Sequence, residues 1–106
     1  MRIVIDSNVW ISALVFGGNP RRVLERCVQD GIGIVLSDAI TTEVRRNLGR
    51  KFADFLPDFE ALLVALNSRI VYVTLGSLDI DVCRDHDDNR VLETAVLGKA
   101  SYIISG

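Results

Sequence analysis

Four short apolar runs are separated along the chain by longer segments in which apolar residues recur at helical spacing. The short runs predict buried strands, because they are bounded by turn residues and rich in β-branched side chains. They cover residues 2–5, 32–36, 69–74 and 101–104. Strands that alternate with helices favour parallel pairing. The pattern therefore predicts a layered α/β domain whose active groups gather beyond the carboxyl ends of the strands.

Helical segments are predicted between these strands. They are residues 7–16, a helix from Pro20 that stops at Gly31, a helix that follows Ser37, a continuation over 52–66, and residues 88–97, which stop at Gly98. Ser37 is the expected N-cap of the third helix, and the continuation is expected to break near Pro57. The third helix carries its apolar stripe at helical spacing, which predicts that one face packs on the sheet.

Composition is that of an ordinary soluble domain of 106 residues, with 49% apolar and 25% charged positions. We expect a single domain over residues 1–106. No apolar run approaches the roughly 20 residues of a membrane span, and the first residues lead straight into a strand, so we expect no export signal, no membrane contact and a cytoplasmic location. The only cysteines, Cys27 and Cys83, and the one histidine, His86, form no zinc-binding pattern. Buried free thiols are the simpler interpretation.

Charge is distributed unevenly although the net charge is only −2. Residues 79–93 contain six acids and two bases, whereas the rest of the chain contains ten bases and eight acids. The bases cluster at 21–26 and at 45–51. Solvated helix faces explain these clusters at least as well as phosphate contacts do, and both interpretations remain open.

Three acids stand where a site could form. Asp6 directly follows the first strand, where ligands bind in open α/β sheets, although a helix N-cap is an equal interpretation. Glu43 lies at the edge of the apolar stripe of the third helix, with a salt bridge to an arginine as the alternative. Asp88 opens the last helix on its predicted core face, with a first-turn helix acid as the alternative.

Neighbouring residues complete this candidate site. Ser7 and Asn8 could bind a metal-held water or cap the first helix, and Asp85 lies just outside the last helix. Glu93 is predicted to lie on the solvated face of that helix together with Arg90 and Thr94. Carboxylates that converge on one crevice stay ionised only if a cation neutralises them, and such hard oxygen ligands suit Mg²⁺ or Mn²⁺. Ions of this kind can bind a phosphodiester, activate a water and stabilise the leaving oxygen.

Several segments, taken in order, resemble the motifs of the PIN-domain family. They are Ile3–Val9, Ser37–Glu43 with Glu43 as its acid, Arg50-Lys51-Phe52, Cys83–Asn89 with Val91-Leu92-Glu93, and Tyr102–Gly106. The resemblance covers the whole chain, and the order and spacing of the motifs are more specific than any one of them. His86 stands where one bacterial branch commonly has proline. After the Ser105-Gly106 pair the family usually continues with an Asp, a helix and a strand, whereas this sequence ends there.

The resemblance implies a three-layer α/β/α domain with a central parallel sheet. It implies a Mg²⁺- or Mn²⁺-dependent endoribonuclease, often the toxin of a toxin–antitoxin pair and often a homodimer, with RNA as substrate and an antitoxin as partner. Asp6, Glu43 and Asp88 would be the acidic ligands, Asp85 an outer member and Ser7 a supporting hydroxyl. Because the last helix and strand of the family are missing, we expect the chain either to dimerise over the uncovered sheet or to be part of a longer protein.

Other classes of site fit less well. An EF-hand starting at Asp79 or Asp81 would lack the glycine and glutamate that its sixth and twelfth positions require. Receiver domains and related phosphatases would place a second acid at or near Asp6, but Ser7 and Asn8 follow it, and no Gly-x-Gly-x-x-Gly motif is present. A fold that binds an antitoxin or RNA without cutting stays open as the alternative.

Overall fold

The fold is built on one parallel sheet. The structure, a computed structural model, describes residues 1–76 and 86–105, and the side chains of the second range from residue 89 onward. Its strands are β1 (Arg2–Ile5), β2 (Gly33–Ser37), β3 (Ile70–Val73) and β4 (Tyr102–Ile104). They pair in the order β3-β2-β1-β4, and every pairing is parallel. All the predicted strands are confirmed, and their ends agree with the predicted ones to within one residue.

The helices between them are α1 (Ser7–Val15), α2 (Gly18–Asp30), α3 (Asp38–Lys51), α4 (Leu56–Ala65) and α5 (His86–Leu97). Short 3-10 turns cover Ala53–Phe55 and Asn67–Arg69. The expected break near Pro57 is confirmed, since α4 begins one residue before this proline, which occupies the first turn, where its missing N–H costs no hydrogen bond. α5 begins two residues before the predicted start. Within the described ranges no helix has the length and apolar character needed to cross a membrane.

Two layers of helix enclose the sheet. The chain passes from β1 to β2 to β3 in one direction and returns across the sheet to β4 on the other side of β1. Because crossovers between parallel strands are almost always right-handed, α1 to α4 cover one face and α5 covers the other. Contacts on the α5 face agree: Val35 lies against Gly98, and Ser37 bonds to Thr94. This confirms the three-layer α/β/α architecture.

The core is continuous across both layers. The two central strands are buried along most of their length, as expected where helices cover both faces of a parallel sheet. On the α1–α4 side, Trp10 and Phe59 are fully buried, and their rings meet edge to face with centroids 6.0 Å apart. The predicted stripe of α3 is buried as well, and its members are Ile40, Val44 and Leu48. The stripe holds α3 against the sheet and so fixes the side chains on its flank.

Three arginines hold the carboxyl ends of helices. Arg21 donates hydrogen bonds of 3.1 and 3.3 Å to two carbonyl oxygens of the last turn of α1. Arg69 donates to a carbonyl of the last turn of α2 at 3.2 Å, and Arg2 donates to the Gly98 carbonyl just beyond α5 at 3.1 Å. Cations at these positions satisfy free carbonyls and oppose the negative end of the helix dipole. These arginines therefore have a structural role.

Candidate functional site

Asp6 joins the central strand to the first helix. Its backbone N–H donates to the Ile104 carbonyl at 2.9 Å, so it sits between the carboxyl ends of β1 and β4. One carboxylate oxygen, Oδ1, accepts the Ser7 backbone N–H at 2.8 Å and is 3.5 Å from the Ser7 hydroxyl. The other oxygen, Oδ2, makes no hydrogen bond to any residue in the described part of the chain. The cap interpretation is confirmed, and Asp6 also lies at the carboxyl edge of the sheet, so its role as a ligand stays a prediction.

Glu43 lies half-buried on α3, next to the fully buried Val44. Its helix packs against α1, which carries Asp6 at its start. Arg45, the arginine nearest to Glu43 in sequence, bonds instead to Glu60 on α4, at 3.0 and 2.8 Å. Glu43 thus occupies the boundary position that its spacing predicted, on the helix beside Asp6.

The structure describes less of the other two candidate acids, Asp88 and Asp85. Asp88 belongs to the first turn of α5, but its side chain lies outside the described residues, and Asp85 lies outside them altogether. Within the described side chains no group of three Asp, Glu, His or Cys residues is placed to hold a metal ion. A three-acid site on this chain would therefore need Asp88 beside Asp6 and Glu43.

A cleft separates the start of α1 from the end of α3. It has a volume of about 220 Å³ and is lined by Asn8, Ile11, Asn47, Arg50, Lys51 and Phe52. Asn8 follows Asp6 by two residues, and Asn47 follows Glu43 by one helical turn. The cleft is therefore bordered by the same two helices that carry these acids, and it adds amides and cations to the carboxylates.

A larger groove lies elsewhere on the molecule. It measures about 490 Å³ and is lined mainly by apolar residues of α1, α2 and α4, with Leu24 and Leu62 among them. Of the candidate acids whose side chains the structure describes, neither Asp6 nor Glu43 borders it. The larger groove and the two described candidate acids therefore lie apart.

The prediction that Glu93 and Thr94 lie on a solvated face is wrong. Glu93 is only 5% exposed, and its Oε2 accepts the Gly76 backbone N–H at 2.5 Å. Thr94 is fully buried, shares a hydrogen bond of 2.8 Å with the Ser37 hydroxyl and donates to the Arg90 carbonyl at 2.7 Å. α5 packs so closely on the sheet that this polar side is enclosed, and each buried group finds a partner.

The side-chain cap expected from Ser37 is also absent. Ser37 stands at the N-cap position of α3, but its hydroxyl makes no capping bond and is engaged by Thr94 instead. A buried hydrogen bond between β2 and α5 has taken the group that a surface helix would use for its own first turn.

Cys27 is a buried free thiol, as predicted. Burial, and secondarily the negative charge of Asp30, raises the pKa of its thiol. A thiol held in its neutral form is a poor nucleophile and metal ligand, so Cys27 acts as a small core residue. Cys83 lies outside the described residues.

Comparison with known proteins decides the family. The sequence model of the PIN domain matches residues 2–106. The chain belongs to the PIN-domain family. PIN domains are generally nucleases and typically use divalent metals.

This PIN domain is similar to one protein in sequence and to one solved structure in fold. It is 32% identical over 110 residues to the uncharacterized protein MJ1680 of Methanocaldococcus jannaschii, an alignment that covers 100% of this chain and 70% of that protein. Its fold is similar to the crystal structure of VapBC2 from Rickettsia felis bound to a DNA fragment from their promoter. That likeness has a TM-score of 0.67 at 13% identity and covers 100% of this chain and 88% of the other. At this identity the likeness speaks for the fold alone.

Proposed function

We propose that this PIN domain is a metal-dependent endoribonuclease that hydrolyses RNA phosphodiester bonds. Asp6, Glu43 and Asp88 would be its acidic ligands, with Asp85 as an outer member. One observation carries the proposal most directly: in a member of a nuclease family, Asp6 closes the central strand with one carboxylate oxygen fixed and the other unbonded among the described residues. That arrangement suits a metal ligand better than a helix cap alone, which needs only one oxygen.

The side chains proposed for this site carry the oxygen donor atoms that a hard divalent ion prefers. Asp6 and Glu43 offer carboxylate oxygens, and Mg²⁺ and Mn²⁺ prefer oxygen ligands. Ser7 and Asn8 add a hydroxyl and an amide directly beside Asp6. When bound, such an ion supplies Lewis-acid stabilisation of a phosphodiester and lowers the pKa of a bound water.

The chain itself would supply orientation. The Ser7 backbone N–H fixes one oxygen of Asp6, so the direction of the carboxylate is set before any ligand arrives. The buried stripe of α3 holds Glu43 in place on the neighbouring helix. Asn8 is exposed in the first turn of α1 and can donate its amide to a substrate oxygen.

The biological setting that we propose is that of a toxin with an antitoxin partner, acting as a homodimer in the cytoplasm. The antitoxin partner is proposed from the family resemblance, and the similar fold of VapBC2 was solved in a complex bound to a DNA fragment from their promoter. The competing function is a PIN-like module that binds an antitoxin or RNA without cutting it.

The test is cleavage of a structured RNA with Mn²⁺ or Mg²⁺, compared with EDTA and with Asp6→Asn. Asp54→Asn is the matched control, because it makes the same chemical change at an exposed acid far along the chain. We expect cleavage that needs the metal and Asp6 and that Asp54→Asn leaves unchanged. Metal binding by calorimetry without cleavage would favour the binding module. Cleavage that survives EDTA or Asp6→Asn would overturn the proposed site.

A further inference from the structure

We propose that the cleft between α1 and the end of α3 binds a backbone phosphate of the RNA strand, next to the bond that is cut. Arg50 and Lys51 would supply the positive charge, and the amides of Asn8 and Asn47 would supply hydrogen bonds. This inference rests on the proposed ribonuclease function and adds the surface that positions its substrate.

Geometry connects the cleft to the acids. Glu43, Asn47 and Arg50 are spaced by four and three residues on α3, so they lie along one flank of the helix. Asn8 faces the same cleft from the first turn of α1, which Asp6 caps. A strand whose scissile phosphate lies by Asp6 and Glu43 would therefore meet Asn8 and Asn47 first, and then the cations.

Most other basic residues of the described chain are held by partners, and of those that are not, namely Arg22, Arg46, Arg50, Lys51 and Lys99, only Arg50 and Lys51 line the cleft. Arg2, Arg21 and Arg69 are bonded to helix carbonyls, Arg26 pairs with Asp30, and Arg45 pairs with Glu60. By contrast, among the described residues the charged groups of Arg50 and Lys51 make no hydrogen bond or ion pair. Both are exposed at the cleft and so remain available to an anion.

A purely structural role does not account for the whole cleft. Arg50 and Lys51 lie in the last turn of α3, where cations oppose the helix dipole. That effect needs no cavity, and it gives no reason for two amides to line the same space. Amide and cationic donors together are the set that binds phosphate oxygens.

Positive charge in the cleft would also help the proposed carboxylate site to accept RNA. A cluster of carboxylates repels an incoming RNA strand until cations offset its charge. Cations one helical turn away attract the backbone without competing for the metal. Because such contacts go to phosphate, they position the strand and carry no sequence preference.

The experiment measures binding of a fluorescent single-stranded RNA by anisotropy in EDTA, where no cleavage occurs. Arg50→Gln/Lys51→Gln is compared with Arg22→Gln/Arg46→Gln, which removes the same charge at exposed positions outside the cleft. We expect the cleft variant to raise Kd roughly tenfold and to lower the salt slope of log K by about 0.7, since each phosphate neutralised on a single strand contributes about 0.7. The control should change both quantities much less. Asn47→Asp, which adds a negative charge without changing shape, should weaken binding as well.

The outcomes separate this proposal from the nuclease. Equal weakening by the cleft variant and its control, or wild-type protein that binds no RNA, would overturn the phosphate site. Cleavage that needs Asp6 but has an unchanged KM in the cleft variant would keep the nuclease and remove the subsite. Binding that is lost only in the cleft variant, in a protein that never cleaves, would keep the subsite and remove the nuclease. If both proposals are correct, the cleft variant should cleave RNA with a higher KM than the wild type and with a kcat that changes little.

Discussion

Gly98 lies directly against Val35, at the point where α5 ends over the sheet. A Cβ placed on Gly98 would lie 2.2 Å from Val35 Cγ1 and 3.0 Å from Val35 Cβ. Glycine is needed at position 98 because there is no room for a side chain. Backbone conformation is not the reason, since the residue with the left-handed conformation at this helix end is Lys99, with φ of 54°. The close approach seats α5 on β2 and thereby sets the height of the helix that carries Asp88.

Replacing Gly98 with alanine should therefore destabilise the fold. We expect Gly98→Ala to lower the free energy of unfolding by about 1–3 kcal/mol or more, because the methyl group overpacks a fully buried strand. Urea unfolding followed by circular dichroism measures the change.

Gly49 provides the matched control. It lies within α3, and an added Cβ would meet nothing nearer than Leu56 Cδ1 at 3.9 Å. Gly49→Ala should raise the free energy of unfolding by about 0.5–1 kcal/mol, because alanine favours the helix. If both variants were stabilised, the contact between Gly98 and Val35 would be wrong.

Glu93 anchors the end of the segment that follows β3. Its carboxylate accepts the Gly76 backbone N–H from within the core. Glu93→Ala should cost about 1–3 kcal/mol, since the hydrogen bond accepted by a buried carboxylate is lost, whereas Glu93→Gln keeps an acceptor oxygen and should cost less. Hydrogen exchange gives the specific reading: the Gly76 amide should exchange faster in Glu93→Ala, while amides of β1 should change only with global stability. Unchanged exchange at Gly76 would contradict the bond.

The sequence predicted most of the fold because the deciding signals are local. Short β-branched runs and helical spacing mark the strands and helices, and Gly31 ends α2 in the left-handed conformation that favours glycine. The position of Asp6 followed from the end of β1. That it caps α1 with one carboxylate oxygen, while the other makes no hydrogen bond among the described residues, did not follow, since both interpretations place the same residue at the same position.

What the sequence did not predict depends on distant partners. Asn89 and Glu93 are one helical turn apart, which marks a polar face of α5, but spacing does not say whether that face meets water or the sheet. Likewise the basic cluster at 21–26 looks like the cluster at 45–51. Only tertiary contacts show that Arg21 serves the end of α1 while Arg50 and Lys51 line a cleft.

Trp10 carries a buried polar atom that lacks a partner. Its indole N–H finds no hydrogen-bond acceptor among the described residues, although the side chain is fully buried. Trp10→Phe removes this donor and keeps a ring against Phe59, so we expect stability within about 1 kcal/mol of wild type. Trp10→Ala should cost about 3–5 kcal/mol through the cavity that it leaves. Thermal unfolding of both variants is the measurement, and a loss in Trp10→Phe as large as in Trp10→Ala would reveal a hidden acceptor.

The two roles of Asp6 can be separated by substitution. Asn caps helices about as well as Asp, so Asp6→Asn should leave stability nearly unchanged while it removes the charge proposed to bind metal. Asp6→Ala loses the cap as well and should cost about 0.5–2 kcal/mol. Urea unfolding without metal measures the cap, and calorimetry with Mn²⁺ measures the charge. Weaker Mn²⁺ binding in Asp6→Ala alone would argue against a ligand role for the carboxylate.

The ion pair between Arg45 and Glu60 should make stability depend on pH. The hydrogen bond from Arg45 lowers the pKa of the Glu60 carboxyl in the folded state. Its contribution is therefore fully present above the unfolded pKa of glutamate, ~4.3, and is lost as the pH falls through the lower folded value. Both side chains are about half exposed, at 46% and 50%, so solvent screening limits the contribution to about 0.2–1 kcal/mol. We expect Glu60→Gln to be less stable than wild type at pH 7 and equally stable near pH 2. In an Arg45→Gln background the substitution should have little effect at either pH, and an undiminished effect there would show that Glu60 acts through another partner.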